Sequence, residues 1–289
     1  MTIDGLFIYQ SITNLNYMMH IHNCLVICCV ALVVIKNVKC DTPDEPVDGS
    51  SEGSNFKKID YPNGDHYEGE FKDGEKNGKG TFTFADGTKY VGTMKKGLFN
   101  GEGVMTWKDG DRYKGSFLNG ERSGSGTYYF RNHGQYVGEF KNGQFHGKGV
   151  ETWPNGDRYE GVFVNGKKTT NGVYYFTDGT KYVGTFNGDL FNGEGVMTWV
   201  NGNRYEGNFV NGKKTGSGFY YSGDSELFIG SFLNGQFNGE GIYRYANGNL
   251  LIGTWKNGKK NGRSRLIDAD GTVKIIKWKD DELIKLIIL

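Results

Sequence analysis

The chain has little with which to build a conventional core or an active site. Hydrophobic residues make up only 36% of its 289 residues, so the aromatic 15% must supply most of the burial. No cysteine follows Cys40; all four, Cys24, Cys28, Cys29 and Cys40, stand near the N-terminus, and disulfides do not hold the remainder together. An excess of charge of one sign is missing too. Lys plus Arg number 34 and Asp plus Glu 33, and a net charge of +1 gives no long-range reason to expect a nucleic acid as partner. No serine or cysteine is paired with a base in a recognised nucleophile motif, and His66, His133 and His146 are scattered. Neither a catalytic residue nor a cofactor or metal site is expected. The absence of any N-x-S/T acceptor weighs against a long extracellular life.

Long apolar runs are lacking as well. Cys24 to Ile35 reads CLVICCVALVVI, twelve residues stopped by Lys36. A secretory h-region takes roughly 7 to 15 apolar residues and a spanning helix about 20, so length favours targeting over spanning. Met1 to His22 contains no Lys or Arg for a cationic n-region, and Lys36 and Lys39 would keep the rest of the chain cytoplasmic if the run were a retained anchor. Residues 1–40 are read as a hydrophobic targeting or anchor segment carrying a short helix. The protein is then membrane-associated or enters the secretory pathway. Asp41 to Ser54, DTPDEPVDGSSEGS, is acidic and rich in Pro, Gly and Ser; residues 41–58 are expected to form a flexible linker.

What the chain does have is glycine, 47 residues of it, in a fixed frame. YxGxF recurs with its first position at Tyr67, Tyr90, Tyr113, Tyr136, Tyr159, Tyr182, Tyr205, Phe228 and Leu251, each step 23 residues, and a degenerate copy starts at Lys274. Within the first copy, Tyr67, Gly69 and Phe71 alternate with Glu68 and Glu70, as a strand does. A turn-rich stretch leads to a returning strand at Gly80 to Phe84, and Asp86-Gly87 turns the chain into the next copy. The pattern predicts an all-β fold: an elongated, single-layer antiparallel meander of about ten stacked β-hairpins over residues 59–282. The tail at residues 283–289, LIKLIIL, reads as a hydrophobic cap that covers or completes the last hairpin. The recurrent GxG pairs, Gly78/Gly80 being the first, lack the helix that a phosphate cradle needs and are assigned to close packing of rings over bare backbone.

A second period of 46 residues lies over the first. Phe99, Phe145, Phe191 and Phe237 alternate with Lys76, Arg122, Lys168, Lys214 and Lys260, and Trp107, Trp153 and Trp199 share that double period. Val91, Val137, Val183 and Ile229 alternate with Glu68, Lys114, Glu160 and Glu206. The building block is therefore a pair of hairpins. Two readings follow: a Phe/Trp/Val stripe packs within the array, or it receives a partner while the Lys/Arg stripe stays wet. Phe99, Trp107, Phe145, Trp153, Phe191, Trp199 and Phe237 are the candidate partner-binding residues. Lys76, Arg122, Lys168, Lys214 and Lys260 are the candidate contacts for anionic lipid.

YEGEF, YKGSF, YEGVF and YEGNF, each followed by turn glycines and GxG, resemble the membrane occupation and recognition nexus (MORN) repeat from Tyr61 to about Trp278. Departures are Met94 for the second aromatic, Thr170 for the first glycine of GxG and Lys274 for the terminal aromatic. The resemblance implies a noncatalytic scaffold at or near a membrane, with protein partners, anionic phospholipid as a further candidate ligand, and self-association open. The alternative is a secreted or lumenal protein-recognition module without direct lipid binding.

Overall fold

The computed structural model describes residues 55–288. The segment 1–40, with its expected helix, lies outside them, as does most of the expected linker. The last part of that linker does not stay free: residues 55–58 belong to β1 (Asn55–Asp60), which pairs along β2 (His66–Lys72) from Asn55↔Phe71 to Asp60↔His66. Backbone N–H and C=O groups on the outer side of β2 need partners, and the backbone of β1 supplies them.

Twenty-one strands form one antiparallel sheet. Each pairs with its neighbours in sequence, from β1–β2 through β2–β3 (Glu75–Thr83) to β20 (Val273–Lys279) and β21 (Glu282–Ile288). Strand order is thus sequence order, and the sheet stays open. Ten hairpins begin with β2, and β1 stands before the first. Residues 283–288 of the apolar tail belong to β21, the second strand of the tenth hairpin.

One tyrosine explains the frame of each of the first seven units. Tyr67, Tyr90, Tyr113, Tyr136, Tyr159, Tyr182 and Tyr205 are all 0% exposed. Each ring lies along its own strand over two glycines paired across the hairpin; in the first unit these are Gly69 and Gly80. A Cβ built on Gly195 would stand 2.5 Å from Cε2 and Oη and 2.7 Å from Cζ of Tyr182. The hydroxyl then donates to the carbonyl three residues on, as from Tyr90 to Thr93 (2.8 Å) and from Tyr136 to Glu139 (2.9 Å). That carbonyl needs a donor because the register shifts there: Gly69 pairs with Gly80 but Phe71 with Lys76, leaving Glu70 opposite three residues.

The two glycines of GxG therefore do different work, a distinction that the packing argument alone misses. The second gives the ring clearance. The first sits in the bulge with positive φ, for example Gly78 at 102° and Gly193 at 85°. In the fifth unit that place is held by Thr170 at φ 56°, a β-branched residue in the left-handed region. Thr170→Gly should raise stability by about 1 kcal/mol, strain relief outweighing the added entropy of the unfolded chain. The urea midpoint checks this; an unchanged or lower midpoint would refute it.

The turns between units are braced at the double period. Asp65, Asp111 and Asp157 each accept the backbone N–H of a residue twenty positions on, Ala85, Arg131 and Thr177, at 2.8 Å. Asn203 and Asn249 repeat the contact to Gly223 (2.9 Å) and Ala269 (3.0 Å). Burial opposes ionisation of Asp157, yet the hydrogen bonds from Thr177, Asn155 and Tyr174 prevail and hold its carboxyl below the usual range. Asp65, Asp111 and Asp157 are thus structural, each tying one turn to the next.

Candidate functional site

One face of the sheet carries a continuous aromatic groove. In the even-numbered units the phenylalanine that opens the second strand lies flat on the leading ring of the same unit: Phe99 on Tyr90 at 4.0 Å, and Phe145 on Tyr136, Phe191 on Tyr182 and Phe237 on Phe228 at 3.9 Å. The next unit closes the stack edge-on, as Phe163 does against Tyr136 at 5.0 Å and 88°. These phenylalanines are half-buried, packed against the core below and open above.

In the odd-numbered units a cation takes the place of the phenylalanine. Lys76 Nζ lies 4.6 Å from the Phe82 centroid and 5.6 Å from Tyr67. Arg122 Cζ is 4.9 Å from Tyr128 and 5.3 Å from Trp107. Lys168 Nζ is 4.6 Å from Trp153, Lys214 Nζ is 5.2 Å from Trp199, and Lys260 Nζ is 4.4 Å from Trp278. The 46-residue period now has a physical cause. At three of the five cations a tryptophan, the ring with the strongest pull on a cation, ends one unit beside the arginine or lysine of the next: Trp107 with Arg122, Trp153 with Lys168 and Trp199 with Lys214. A phenylalanine ends the other kind of unit beside a stacked phenylalanine: Phe84 with Phe99, Phe130 with Phe145 and Phe176 with Phe191, each at 6.1 Å.

This corrects the idea of a wet cation stripe. Strand alternation puts the cations on the tyrosine face, in one row with the phenylalanines, and Val91, Val137, Val183 and Ile229 on the opposite face. Phe, Trp and Val therefore do not form a single stripe. Lys168 departs furthest from expectation: it is 8% exposed and ion-paired to Glu151 (3.0 Å) and Asp189 (3.3 Å). Glu151 stands where Met105 and Met197 stand in the equivalent units, so the sequence held a signal for this charge cluster that the reading missed. Lys76, Arg122 and Lys214 have no ion pair among the described residues. Burial pushes the Lys214 ammonium below its ordinary value.

A depression of about 180 Å³ in the groove is lined by Lys76, Phe82, Phe84, Met94, Leu98 and Phe99. It lies where Met94 replaces the larger ring found in the neighbouring units. Among the described residues no group of three or more His, Cys, Asp and Glu could hold a metal ion, and no helix is long and apolar enough to cross a membrane.

The MORN repeat model matches nine successive stretches, 67–89, 90–112, 113–135, 136–158, 159–181, 182–204, 205–226, 228–250 and 252–273. The chain belongs to the MORN-repeat family. The matched stretches each start at or beside the leading ring position, and the hairpin of β20 and β21 continues the MORN array beyond them. No curated protein matches the chain. Among solved structures, the Drosophila melanogaster Sas-4 TCP domain in complex with a proline-rich motif of Ana2 is 12% identical over 82% of this chain and 99% of its own, with a TM-score of 0.22. Virginiamycin B lyase from Staphylococcus aureus is 8% identical over 78% of this chain and 85% of its own, with a TM-score of 0.16. At such TM-scores neither likeness bears on the fold or function of the MORN array. The repeat architecture is that of a noncatalytic protein-contact scaffold.

Proposed function

We propose that the array holds a segment of a partner protein along its aromatic groove and works at or near a membrane. The half-exposed row of Phe99, Phe145, Phe191 and Phe237 carries this reading. Their rings are already stacked, so a ligand that covers them orders few new side chains. Trp107, Trp153 and Trp199 are half-buried beside the same row and widen the contact. Repetition makes the contact multivalent, because once one unit is engaged the next binds at high effective concentration. The cavity at Met94 offers a seat for one apolar anchor side chain. Lys76, Arg122 and Lys214 give the groove a positive character that suits an acidic segment or an anionic headgroup, whereas the charge of Lys168 is already answered by its carboxylates. The membrane part of the reading rests on the apolar run Cys24 to Ile35.

A photo-crosslinking amino acid placed in turn at Trp153 and at Val150, and expressed in native cells, tests the groove. Discrete adducts at position 153 and none at position 150, on the opposite face, are expected. Equal labelling of both positions, or none at 153, would refute the groove as the contact surface.

A further inference from the structure

The aromatic groove advances by a fixed step, and its hydrogen-bonding chemistry is one-sided. Each unit contributes two strands, so the row moves on by about 9.6 Å per unit. Its free polar groups are donors: the ammonium groups of Lys76 and Lys214, the Arg122 guanidinium, and the indole N–H groups of Trp107, Trp153 and Trp199, which make no hydrogen bond among the described residues. The leading tyrosines add no acceptor, being fully buried. Carboxylates at the edge, Asp111 and Asp157, are taken up by Tyr128 and Tyr174 and by the backbone N–H groups of Arg131 and Thr177.

Three regular conformations of a bound segment meet such a row differently. An extended strand covers about 10 Å in three residues, but an odd step puts the third side chain on the opposite face. An α-helix returns to the same face after seven residues, about 10.5 Å, and slips by about 1 Å with each unit. A polyproline II helix has three residues per turn and rises about 9.3 Å in that turn, so every third side chain falls on successive units. Its carbonyls make no internal hydrogen bonds and are free to accept, and proline brings no N–H that would need an acceptor.

We propose that the groove takes a proline-rich segment in the polyproline II conformation, with an acidic side chain at every sixth residue. The proposal rests on the groove reading and names the chemistry of its occupant. Groove cations recur at every second unit, about 19 Å, which is six residues of this helix. Acids then meet Lys76 and Arg122, and the prolines midway between them stack on Phe99 and Phe145, the contact by which aromatic-lined grooves hold such segments. Lys168 breaks the pattern. Its charge is answered by Glu151 (3.0 Å) and Asp189 (3.3 Å), so the segment carries no acid opposite the fifth unit and resumes at Lys214. That gap fixes the register along units that are otherwise alike.

Fluorescence anisotropy of the full chain with labelled polyproline peptides tests the assignment. Two peptides carry glutamate at every sixth or at every fifth residue and are equal in length and in charge. The sixth-residue peptide should bind roughly tenfold more tightly, the worth of two exposed charge pairs brought into register. K76Q/R122Q should remove that advantage while its melting curve stays close to wild type. Glu151→Met, which places there the side chain of Met105 and Met197, should tighten binding of the sixth-residue peptide by releasing Lys168. Equal affinity of the two peptides, or an advantage retained in K76Q/R122Q, would overturn the spacing argument, and unchanged affinity in Glu151→Met would overturn the gap at Lys168. Binding of neither peptide, with the photo-crosslink at position 153 still formed in native cells, would overturn the proline-rich occupant and leave the groove reading standing. Loss of the crosslink as well would remove both.

Discussion

Gly195→Ala should destabilise the array by about 4 kcal/mol, whereas Gly212→Ala, seventeen residues on, should cost only about 1 kcal/mol. The Cβ added at 195 would stand 2.5 Å from the Tyr182 ring, a separation that real atoms do not adopt. Tyr182 is fully buried, so its ring can yield only by leaving the core, which gives up the stack on Phe191 at 3.9 Å and the hydroxyl bond to the Thr185 carbonyl at 2.9 Å. Removing a buried aromatic ring costs about 3–5 kcal/mol. Gly212 has φ +78° but nothing within 4 Å of a Cβ, and its replacement incurs only the left-handed backbone penalty.

The ninth unit contains a natural version of the compensation. Leu251 stands there in place of the tyrosine and is fully buried, and Ser264, 3% exposed, occupies the position of the clearing glycine. Ring and glycine have been exchanged together. Tyr182→Leu combined with Gly195→Ser should therefore be less destabilising than the sum of the two single changes, by about 2 kcal/mol. Chemical denaturation of the four proteins measures this coupling. Additive effects would mean that the ring and the bare backbone do not depend on one another.

Alkaline solution should unfold the array cooperatively. Burial pushes the phenols of Tyr67, Tyr90, Tyr113 and Tyr128 from 10 to about 12, and those of Tyr136, Tyr159, Tyr182 and Tyr205 higher still. The folded values lie above the unfolded one, so this stability is complete below pH 10 and is lost as pH rises through 10 toward 12 and beyond. A change from 10 to about 12 is worth about 3 kcal/mol per ring, and several rings together exceed the usual stability of a domain. Phenolate absorbance and the circular dichroism of the sheet should change together in one steep transition. A gradual phenolate titration centred near 10, with the sheet intact, would contradict the burial of these rings.

Much of the groove was legible because its parts repeat. Tyr67 and its successors, the GxG pairs and the double period were all visible as spacings. Less visible was the work each part does. Spacing alone could not separate the clearing role of Gly80 from the bulge conformation of Gly78, since both residues are glycine and differ only in φ. Nor could it reveal which face the row of Lys76 and Phe99 occupies: a bulge breaks the strict alternation between them and the leading ring, and only strand register puts both on the tyrosine face. The Glu151–Lys168–Asp189 cluster was hidden for a related reason. Its members come from three successive units that become neighbours only when the hairpins stack.

By itself, the sequence determined the all-β class, the hairpin unit, the number of units and the absence of a nucleophile motif, because a 23-residue period with turn glycines admits few other solutions. The tertiary structure alone decided which face each side chain occupies and that the groove cations lie over rings. Those outcomes depend on pairing register. They arise from contacts across strands, which no single segment of the chain encodes.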